Sequence, residues 1–357
     1  MRKEIMSDDA RIGTSGRIYR KGDTAYFDWS CSFIEFDMEG EYAATGFVTE
    51  DPMFEENFRA WIGIFINGEL TRKVRLDETL QTVELYKGEK KRVRIRVMKL
   101  SESAFARCGF NKIVIDGELL AAPAPEHTRK IEFVGDSITC GYGVDGTYMV
   151  DVFKTETEDP MKAYAYLTAT KCRAQYQYVS WSGMGVRTAY VDENTEEPLD
   201  TWLFKDIYPY IDSNLEKKMG KESHSEHTKY DFSFKPHVIV FAEGTNDHSW
   251  TRKKPERIAE FRKEYYDMLT MIRQNNSDSY IVCTYGVMGN DLEESIKDTV
   301  EKFRSEYDDR ICYVPLTPQD EENDGVVVDW HPSAKTHEKV SQTLSKVIGD
   351  IFEKAGL

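Results

Sequence analysis

A short segment rich in alanine and proline, residues 121–125, separates two parts of the chain that have different hydrophobic patterns. Proline lacks a backbone N–H and fixes φ, so two prolines this close together disfavour both helix and sheet and are typical of a linker. The 357 residues also suffice for two domains of about 150 residues each. We therefore expect one domain at residues 1–124 and a second at residues 125–357.

The part before the linker has the pattern of an all-β domain. Short runs rich in β-branched and aromatic residues occur at residues 25–29, 32–38, 60–67 and 92–100. Asn67 and Gly68 tolerate positive φ and lie between two apolar runs, which predicts a hairpin turn. Many short strands without a helical period predict a β-sandwich.

The part after the linker alternates compact apolar runs with segments of helical period. The runs predict buried strands at residues 131–134, 176–181, 238–242, 280–284 and 311–314. Apolar residues at helical spacing predict helices at residues 256–275, 291–307 and 332–352. Strand alternating with helix implies a parallel sheet covered on both faces, and reactive residues then collect at the carboxyl ends of the strands.

The charge balance limits the kinds of partner. The chain has 47 basic and 63 acidic side chains, a formal net charge of −16, which disfavours polyanions such as nucleic acids and anionic membranes. Uninterrupted apolar runs reach only five residues, whereas a membrane-spanning helix needs about 20. We therefore expect a neutral or cationic ligand, with no nucleic-acid or membrane partner.

The cysteines and the first residues predict the compartment. Six scattered cysteines without a Cys-x-x-Cys pair indicate reduced thiols in the core rather than zinc ligands or disulfides. Residues 1–22 are polar and charged and lack the apolar stretch of a secretory signal. From these features we expect a cytoplasmic protein.

Three predicted strand ends have candidate catalytic groups. Ser137 follows the first strand at a corner where free backbone N–H groups can bind an anion, although a serine there can also cap the next helix. Gly183 follows the second strand and either lets a backbone N–H approach a substrate or forms an ordinary turn. Asn246 follows the third strand, where its amide can donate to an oxyanion or stabilise its own turn.

His331 lies in the loop before the last predicted helix, two residues after Asp329. The order serine, aspartate, histidine predicts an activated hydroxyl: His331 accepts the Ser137 proton, and Asp329 holds the tautomer and stabilises the imidazolium. The alternative is a structural or exposed histidine beside the helix start that Pro332 favours.

These strand-end residues fall into four short blocks of sequence. Gly135-Asp136-Ser137, Gly183, Gly244-x-Asn246-Asp247 and Asp329-x-His331-Pro332 together resemble the signature blocks of SGNH (GDSL-type) hydrolases. The resemblance covers residues 130–357 and implies a three-layer α/β/α domain, with Ser137 as nucleophile and His331 as general base. It also implies an oxyanion hole formed by the backbone N–H groups of Ser137 and Gly183 and the side chain of Asn246. It implies no metal.

A narrower resemblance rests on residues 135–143, on Trp330-His331-Pro332-Ser333 and on the all-β domain in front, which look like carbohydrate esterase family 2. Members pair a jelly-roll β-sandwich with an SGNH domain and remove O-acetyl groups from plant polysaccharides or their oligosaccharides. The resemblance implies a serine acetylesterase acting on mannan-, glucomannan- or xylan-derived oligosaccharides without a cofactor. The alternatives are a lipase or thioesterase of the same superfamily and a carbohydrate-binding protein without catalysis.

One position departs from the SGNH pattern, which has an aspartate three residues before the histidine. That position is Val328 here, and the nearest acid is Asp329. Either Asp329 reaches His331 from its shifted place, or a backbone carbonyl holds the ring and the enzyme uses a Ser–His dyad. We predict the first arrangement.

The aromatic residues beside the motifs are candidates for sugar binding, because sugar rings stack on aromatic faces. We predict that Trp330, Tyr190 and Tyr285 bind the substrate, and the competing interpretation for each ring is packing in the core.

Two further patterns suggest other ligands. Residues 141–146 match Gly-x-Gly-x-x-Gly but neither directly follow a strand nor open a helix, so dinucleotide binding is not expected. His224 and His227 lie in a polar segment without periodicity, which predicts a solvated loop rather than a metal site.

Overall fold

The computed structural model describes residues 2–49 and 55–357. Within these residues the front half is a nine-stranded antiparallel sheet. Its strands are β1 (Lys3–Met6), β2 (Gly13–Ser15), β3 (Tyr19–Lys21), β4 (Thr24–Tyr26), β5 (Phe33–Val48), β6 (Ala60–Ile66), β7 (Glu69–Leu76), β8 (Leu80–Lys99) and β9 (Gly109–Leu119). Seven strands are hydrogen bonded in the order β3-β4-β9-β5-β8-β6-β7, while β1 pairs with β9 and β2 pairs with β5.

The long strand β5 bends where its pairing register shifts, next to Gly40. A side chain at Gly40 would lie 2.3 Å from the carbonyl oxygen of Asp116, so only glycine fits where these strands approach. Bulges of this kind bend a strand and increase its twist. Ile34 and Phe47, near opposite ends of β5, belong to the same buried core, so the sheet curves around one core. The prediction of an all-β front domain is confirmed.

The predicted hairpin is present in the structure, but two of the predicted strands are longer than expected. Asn67 and Gly68 connect β6 and β7 with φ of +53° and +90°, as the sequence predicts. The runs at residues 32–38 and 92–100, predicted as short strands, are instead the ends of the much longer β5 and β8.

The second half has a parallel sheet. Its strands are β10 (Arg129–Gly135), β11 (Ala174–Ser180), β12 (Val238–Ala242), β13 (Tyr280–Tyr285) and β14 (Ile311–Pro315), in the order β11-β10-β12-β13-β14. Every neighbouring pair is parallel. All five strands lie at the predicted positions, and their carboxyl ends meet at one edge of the sheet.

Helices cover both faces of this sheet. They are α1 (Ser137–Cys140), α2 (Tyr164–Lys171), α3 (Phe204–Ile207), α4 (Ser213–Lys218), α5 (Thr245–Thr251), α6 (Pro255–Asn275), α7 (Glu293–Glu306) and α8 (Ala334–Lys354). Side chains of β12 alternate between the faces. Ile239 packs in the core that contains Phe261 of α6, whereas Val240 packs in the core that contains Leu344 of α8. The predicted α/β domain with helices on both faces is confirmed.

The two halves share buried side chains. Trp29 of the front half packs in the core on the α6 side, and its Nε1 donates to the carbonyl of Ile211 at 2.9 Å. Met98 and Leu100 pack in the core on the α8 side. Residues 120–128 connect β9 to β10, and the predicted boundary between residues 124 and 125 lies in this connection.

The helices and the cysteines relate to the expected partners and compartment of the protein. Across residues 2–49 and 55–357, no helix combines the length and the apolar character needed to cross a bilayer. The six cysteines are free thiols; five of them are buried and Cys312 is half-buried.

Candidate active site

Ser137 lies at the carboxyl end of β10, as the first residue of the short helix α1. The capping residue of that helix is Asp136, whose Oδ1 accepts a hydrogen bond from the Ile138 backbone N–H at 3.0 Å. The alternative that Ser137 caps the helix is therefore excluded. A side chain at Gly135 would lie 2.0 Å from Thr139 Oγ1, so glycine lets the strand turn this sharply into the helix.

His331 contacts Ser137 directly. Its Nε2 lies 2.8 Å from Ser137 Oγ, and its Nδ1 lies 3.2 Å from the carbonyl oxygen of Val328. A carbonyl can only accept, so Nδ1 carries the hydrogen and Nε2 is the free acceptor for the serine proton. This is the tautomer that a general base requires.

Asp329 does not orient the histidine, contrary to the prediction. Its Oδ2 accepts a hydrogen bond from the Tyr142 hydroxyl at 2.8 Å. Asp329 and Trp330 have φ of +50° and +61°, and the chain turns so that the Val328 carbonyl, rather than the carboxylate, lies against the ring. The geometry matches the second arrangement, a Ser–His pair held by a backbone carbonyl.

The surroundings of His331 keep it neutral. Burial lowers the pKa of its imidazole to about 4, and the Val328 carbonyl and the Asp329 charge offset only part of that effect. The ring is therefore unprotonated at neutral pH and can accept a proton.

A row of aromatic rings extends from the front half to His331. Tyr142 stacks on His331 with ring centroids 4.3 Å apart and on Phe153 with centroids 3.6 Å apart. Phe105 lies 5.0 Å from Phe153 and 5.0 Å from Phe58. These contacts were not predicted, although Tyr142 lies within the serine block of the sequence.

The predicted oxyanion residues follow the carboxyl ends of three neighbouring strands, β10, β11 and β12. The backbone N–H groups of Ser137 and Gly183 donate to no acceptor within the described residues. Asn246 is buried at the start of α5, where Nδ2 donates to the Met184 carbonyl at 2.7 Å and, over a longer distance of 3.4 Å, to Asp136 Oδ2. The two bonds use both amide hydrogens, and the bond to Asp136 is the longer of the two. Asn246 thus connects the segment before Ser137 to the segment after Gly183.

Asp247 fixes the loop that contains Gly183. Its carboxylate accepts the backbone N–H groups of Val186, Arg187 and Thr188 at 2.7–3.1 Å. Burial raises its pKa to about 6, an effect that these hydrogen bonds reduce. The sequence places Asp247 beside Asn246 but contains no signal that it would anchor a loop 60 residues away.

The comparisons with known proteins show the family of this chain. The model of the GDSL-like lipase/acylhydrolase family matches residues 131–344, which is more than half of the chain. The chain belongs to this family. The carbohydrate esterase 2 N-terminal model matches residues 14–123, so the resemblance to carbohydrate esterase family 2 is also confirmed.

Several known proteins are similar to this chain over most of its length. A cellulase/esterase, CelE, of Acetivibrio thermocellus is 29% identical over 328 residues, which are 90% of this chain but only 37% of that protein. An acetylxylan esterase/glucomannan deacetylase of Cellvibrio japonicus is 25% identical and covers 84% of this chain and 79% of its own length. A family two carbohydrate esterase from Clostridium thermocellum, solved with cellohexaose, has a TM-score of 0.81 at 28% identity and covers 97% of this chain and 99% of that one.

The three predicted sugar-binding aromatics of this GDSL-like protein have different surroundings. Trp330, next to the histidine, is 37% exposed, and Tyr190 is 59% exposed with its backbone N–H donating to the Gly183 carbonyl at 2.7 Å. Both border the site. Tyr285 is only 5% exposed and packs against Gly244 in the core, so the prediction that it binds substrate is wrong.

The glycines of the formal Gly-x-Gly-x-x-Gly pattern lie against the turn that precedes His331. Side chains at Gly143 and Gly146 would lie 2.6 and 2.4 Å from Val328 atoms, and Gly141 ends α1 with φ of +77°. The pattern therefore lets residues 141–146 approach Val328, whose carbonyl holds His331.

The histidine pair of the polar segment is more buried than predicted. His224 begins a short 3-10 turn, and His227 is buried with Nε2 3.0 Å from the Lys221 carbonyl oxygen. Their rings lie 5.1 Å apart and pack on Trp202, so this segment is not a fully solvated loop.

One cluster of potential metal ligands occurs in the part of the chain that is described. It consists of Glu102, Cys140 and Glu158, whose ligand atoms lie within 4.8 Å of one another. Both oxygens of Glu102 already accept hydrogen bonds from Ser182, the residue before Gly183. This cluster lies where the front half meets residues 181–188, the segment that contains Gly183 and is called the oxyanion loop below.

Proposed function

We propose that this protein is a carbohydrate O-acetylesterase acting on plant-type oligosaccharides derived from mannan, glucomannan or xylan. The observation that carries the proposal is the 2.8 Å contact between Ser137 Oγ and His331 Nε2, at the edge of the sheet where the backbone N–H groups of Ser137 and Gly183 have no acceptor among the described residues. The acetylated carbohydrate substrate is supported by the names of the relatives, an acetylxylan esterase/glucomannan deacetylase among them. The negative net charge fits a neutral sugar better than an anionic one.

The first chemical step is attack of Ser137 on the acetyl carbonyl carbon. As the Oγ–C bond forms, His331 Nε2 accepts the hydroxyl proton, and the carbonyl oxygen becomes an oxyanion. The imidazolium keeps its Nδ1–H bond to the Val328 carbonyl. When the bond from carbon to the sugar oxygen breaks, the imidazolium gives its proton to that oxygen. The sugar departs with a free hydroxyl group, and the acetyl group remains bound to Ser137.

The second step releases acetate. A water molecule gives a proton to His331 Nε2 and attacks the acetyl carbon, and collapse of the intermediate returns that proton to Ser137 Oγ. In both steps the oxyanion is bound by the backbone N–H groups of Ser137 and Gly183 and by the Asn246 amide. Removal of one such donor costs about 10²–10³ in kcat in other hydrolases. No cofactor takes part in this sequence.

Replacement of the nucleophile tests the proposal. Ser137→Ala is expected to lose essentially all turnover of 4-nitrophenyl acetate, because no other hydroxyl contacts His331 Nε2 among the described residues. Ser277→Ala, an exposed serine at the opposite end of the sheet, is the matched control and should keep wild-type turnover. Hydrolysis by Ser137→Ala at the wild-type rate would contradict the mechanism.

The substrate class needs its own measurement. Mass spectrometry of acetylated manno-, xylo- and cello-oligosaccharides before and after incubation should show mass losses of one acetyl group at a time. A series of acetate, butyrate and octanoate esters should give the highest kcat/KM for acetate. A preference for octanoate would favour the lipase alternative, and tight sugar binding without any mass loss would favour a binding protein.

A further inference from the structure

Glu102 of the front half contacts the oxyanion loop of the second half. It follows β8 and is fully buried. One carboxylate oxygen accepts the Ser182 backbone N–H at 2.7 Å, and the other accepts the Ser182 hydroxyl. Ser182 directly precedes Gly183, whose N–H is proposed to bind the oxyanion. The front domain therefore contacts the residue directly before the N–H group that the proposed reaction depends on.

The backbone of Glu102 is itself tightly held. Its N–H donates to Glu158 Oε2 at 3.1 Å. The buried ammonium of Lys99 donates to the carbonyls of Asp28, Ser101 and Glu102 at 2.7–3.0 Å. Because the backbone of Glu102 is fixed by these hydrogen bonds, its carboxylate can hold the residue that it binds in one position.

Gly183 needs an external constraint of this kind. Its φ is +77°, and a Cβ built on it would meet no heavy atom within 4 Å among the described residues. The Tyr190 N–H holds the Gly183 carbonyl, but the Gly183 N–H has no acceptor among the described residues, and a glycine without a packed side chain does little to fix the orientation of the 182–183 peptide. The two bonds from Ser182 to a buried carboxylate are charge-assisted and therefore stronger than neutral ones.

We infer that Glu102 is a positioning residue for the oxyanion hole: it holds Ser182 so that the Gly183 N–H is directed at the oxygen of the reacting acetyl group. This inference rests on the proposed function. It makes the front domain a component of the catalytic centre rather than only a neighbouring module.

The charge of Glu102 is compatible with this role. Burial raises the pKa of Glu158 well above its usual range and that of Glu102 to about 7. The Ser182 donors and the Lys99 charge favour the anionic form of Glu102, whereas Glu158 Oε1 has no partner in the described part of the chain. Glu158 therefore holds a proton more readily than Glu102 does, and the Glu102 carboxylate is the acceptor for both Ser182 groups.

The decisive variant is Glu102→Gln, which keeps the shape of the side chain but removes its charge and leaves one acceptor oxygen, so the Ser182 backbone N–H and hydroxyl can no longer both donate to it. A misdirected N–H weakens binding of the transition state much more than binding of the substrate. We expect kcat for 4-nitrophenyl acetate to fall about 10- to 100-fold, with KM within about twofold of wild type. A merely structural role would lower the melting temperature and leave kcat unchanged.

The matched control is Asn214→Ala. Asn214 donates to the carbonyl of Ser103, the residue after Glu102, so it is also a buried contact between the halves, but it does not touch the oxyanion loop. It should lower the melting temperature and keep kcat within about twofold of wild type. An equal loss of kcat in both variants would contradict the specific role of Glu102.

A second variant covers the case in which Glu102→Gln does not fold. Ser182→Ala removes one of the two donors and leaves the backbone N–H, and we expect a loss in kcat of about tenfold with unchanged KM. Wild-type kcat in Ser182→Ala, or in a folded Glu102→Gln, overturns the inference. A wild-type protein without esterase activity would instead overturn the proposed function, so the two failures are distinguishable.

Discussion

The His331 ring is oriented by a backbone carbonyl, because its Nδ1 lies 3.2 Å from the Val328 oxygen. Such an acceptor fixes the tautomer as a carboxylate would, but it stabilises the imidazolium less because it bears no full charge. The stacked ring of Tyr142 limits rotation of the imidazole on one face. Asp329 contributes through its charge at a distance and through its bond to Tyr142.

Substitution of Asp329 is therefore expected to have a small effect. Asp329→Asn keeps an oxygen acceptor for Tyr142 and tolerates the left-handed backbone at this position. We predict that kcat for an acetate ester stays within about tenfold of wild type, a change of under ~1.4 kcal/mol in the barrier. Where an aspartate holds the catalytic histidine, the same substitution costs about 10⁴-fold.

The pH profile of kcat/KM gives an independent check on this variant. The Asp329 carboxylate favours the charged imidazole and so raises the pKa of His331, which burial lowers to about 4. Loss of the negative charge should therefore move the acid limb of the profile to lower pH. A loss of kcat approaching 10⁴-fold would restore Asp329 as the orienting carboxylate, and a shift of the acid limb to higher pH would contradict the effect of its charge on His331.

At the scale of elements, residues 141–146 and the turn at Val328–Trp330 pack as one unit. The glycines of the first segment leave room for the Val328 side chain, and the Val328 carbonyl then faces His331. The geometry of the histidine thus depends on a loop that directly follows the nucleophile helix. A motif that formally matches a dinucleotide-binding loop serves here to bring two backbones together.

A methyl group at Gly143 should disturb that packing. Gly143→Ala would place Cβ 2.6 Å from the Val328 Cβ at a φ of +61°, so the Val328 turn has to shift. We predict that kcat falls by at least about tenfold, because a carbonyl displaced by 1 Å no longer holds the imidazole in line with Ser137. Steady-state kinetics with an acetate ester measure this effect.

Gly22→Ala separates backbone strain from the steric clash. Gly22 has a similar φ of +57°, but a Cβ there meets no heavy atom within 4 Å in the described structure. This control should lose about 1 kcal/mol of unfolding free energy and keep full activity. If both variants kept wild-type kcat, the proposed link between the glycine loop and His331 would be wrong.

The five strands and the three longest helices of the second half were predictable because each of them buries a continuous face, whereas the shorter helices α1 to α5 were not predicted. Its strands are compact apolar runs, and α6 begins and ends at or next to the predicted residues. The front half was less predictable, because bulges near Gly40 interrupt the alternation of β5 and divide one long strand into apparent short ones. Ser137 and His331 could be predicted because strand ends and motif spacing locate them. The left-handed backbone at Asp329 has no comparable signal in the sequence.

At the scale of the whole molecule, the front half contributes to the site through two contacts that the sequence could not reveal. Glu102 binds Ser182 across 80 residues of chain, and Phe105 extends the aromatic row that ends at His331. Neither residue belongs to a recognisable motif, because their roles depend on how the two halves dock. The geometry of the docked interface therefore affects catalysis as well as stability.

A buried arginine connects the two halves away from the site. Arg17 of the front half donates to the carbonyls of Tyr208 and Tyr210 at 2.6 and 2.7 Å and lies 3.3 Å from Glu132 Oε1. Glu132 also accepts hydrogen bonds from Gln177 and from the Tyr208 hydroxyl. Both members of the ion pair are almost fully buried, so each depends on the other for charge compensation.

Removal of one partner should destabilise the whole protein. Arg17→Met leaves the Glu132 carboxylate buried without its counter-charge, and we predict a loss of about 3–5 kcal/mol in the free energy of unfolding, measured by urea denaturation. The double variant Arg17→Met/Glu132→Gln removes the remaining charge and should recover part of that loss. Lys112→Met breaks a pair with Glu4 that is far more exposed and should change stability by less than about 1 kcal/mol. If Arg17→Met cost no more than Lys112→Met, the buried pair would not be what joins the two halves.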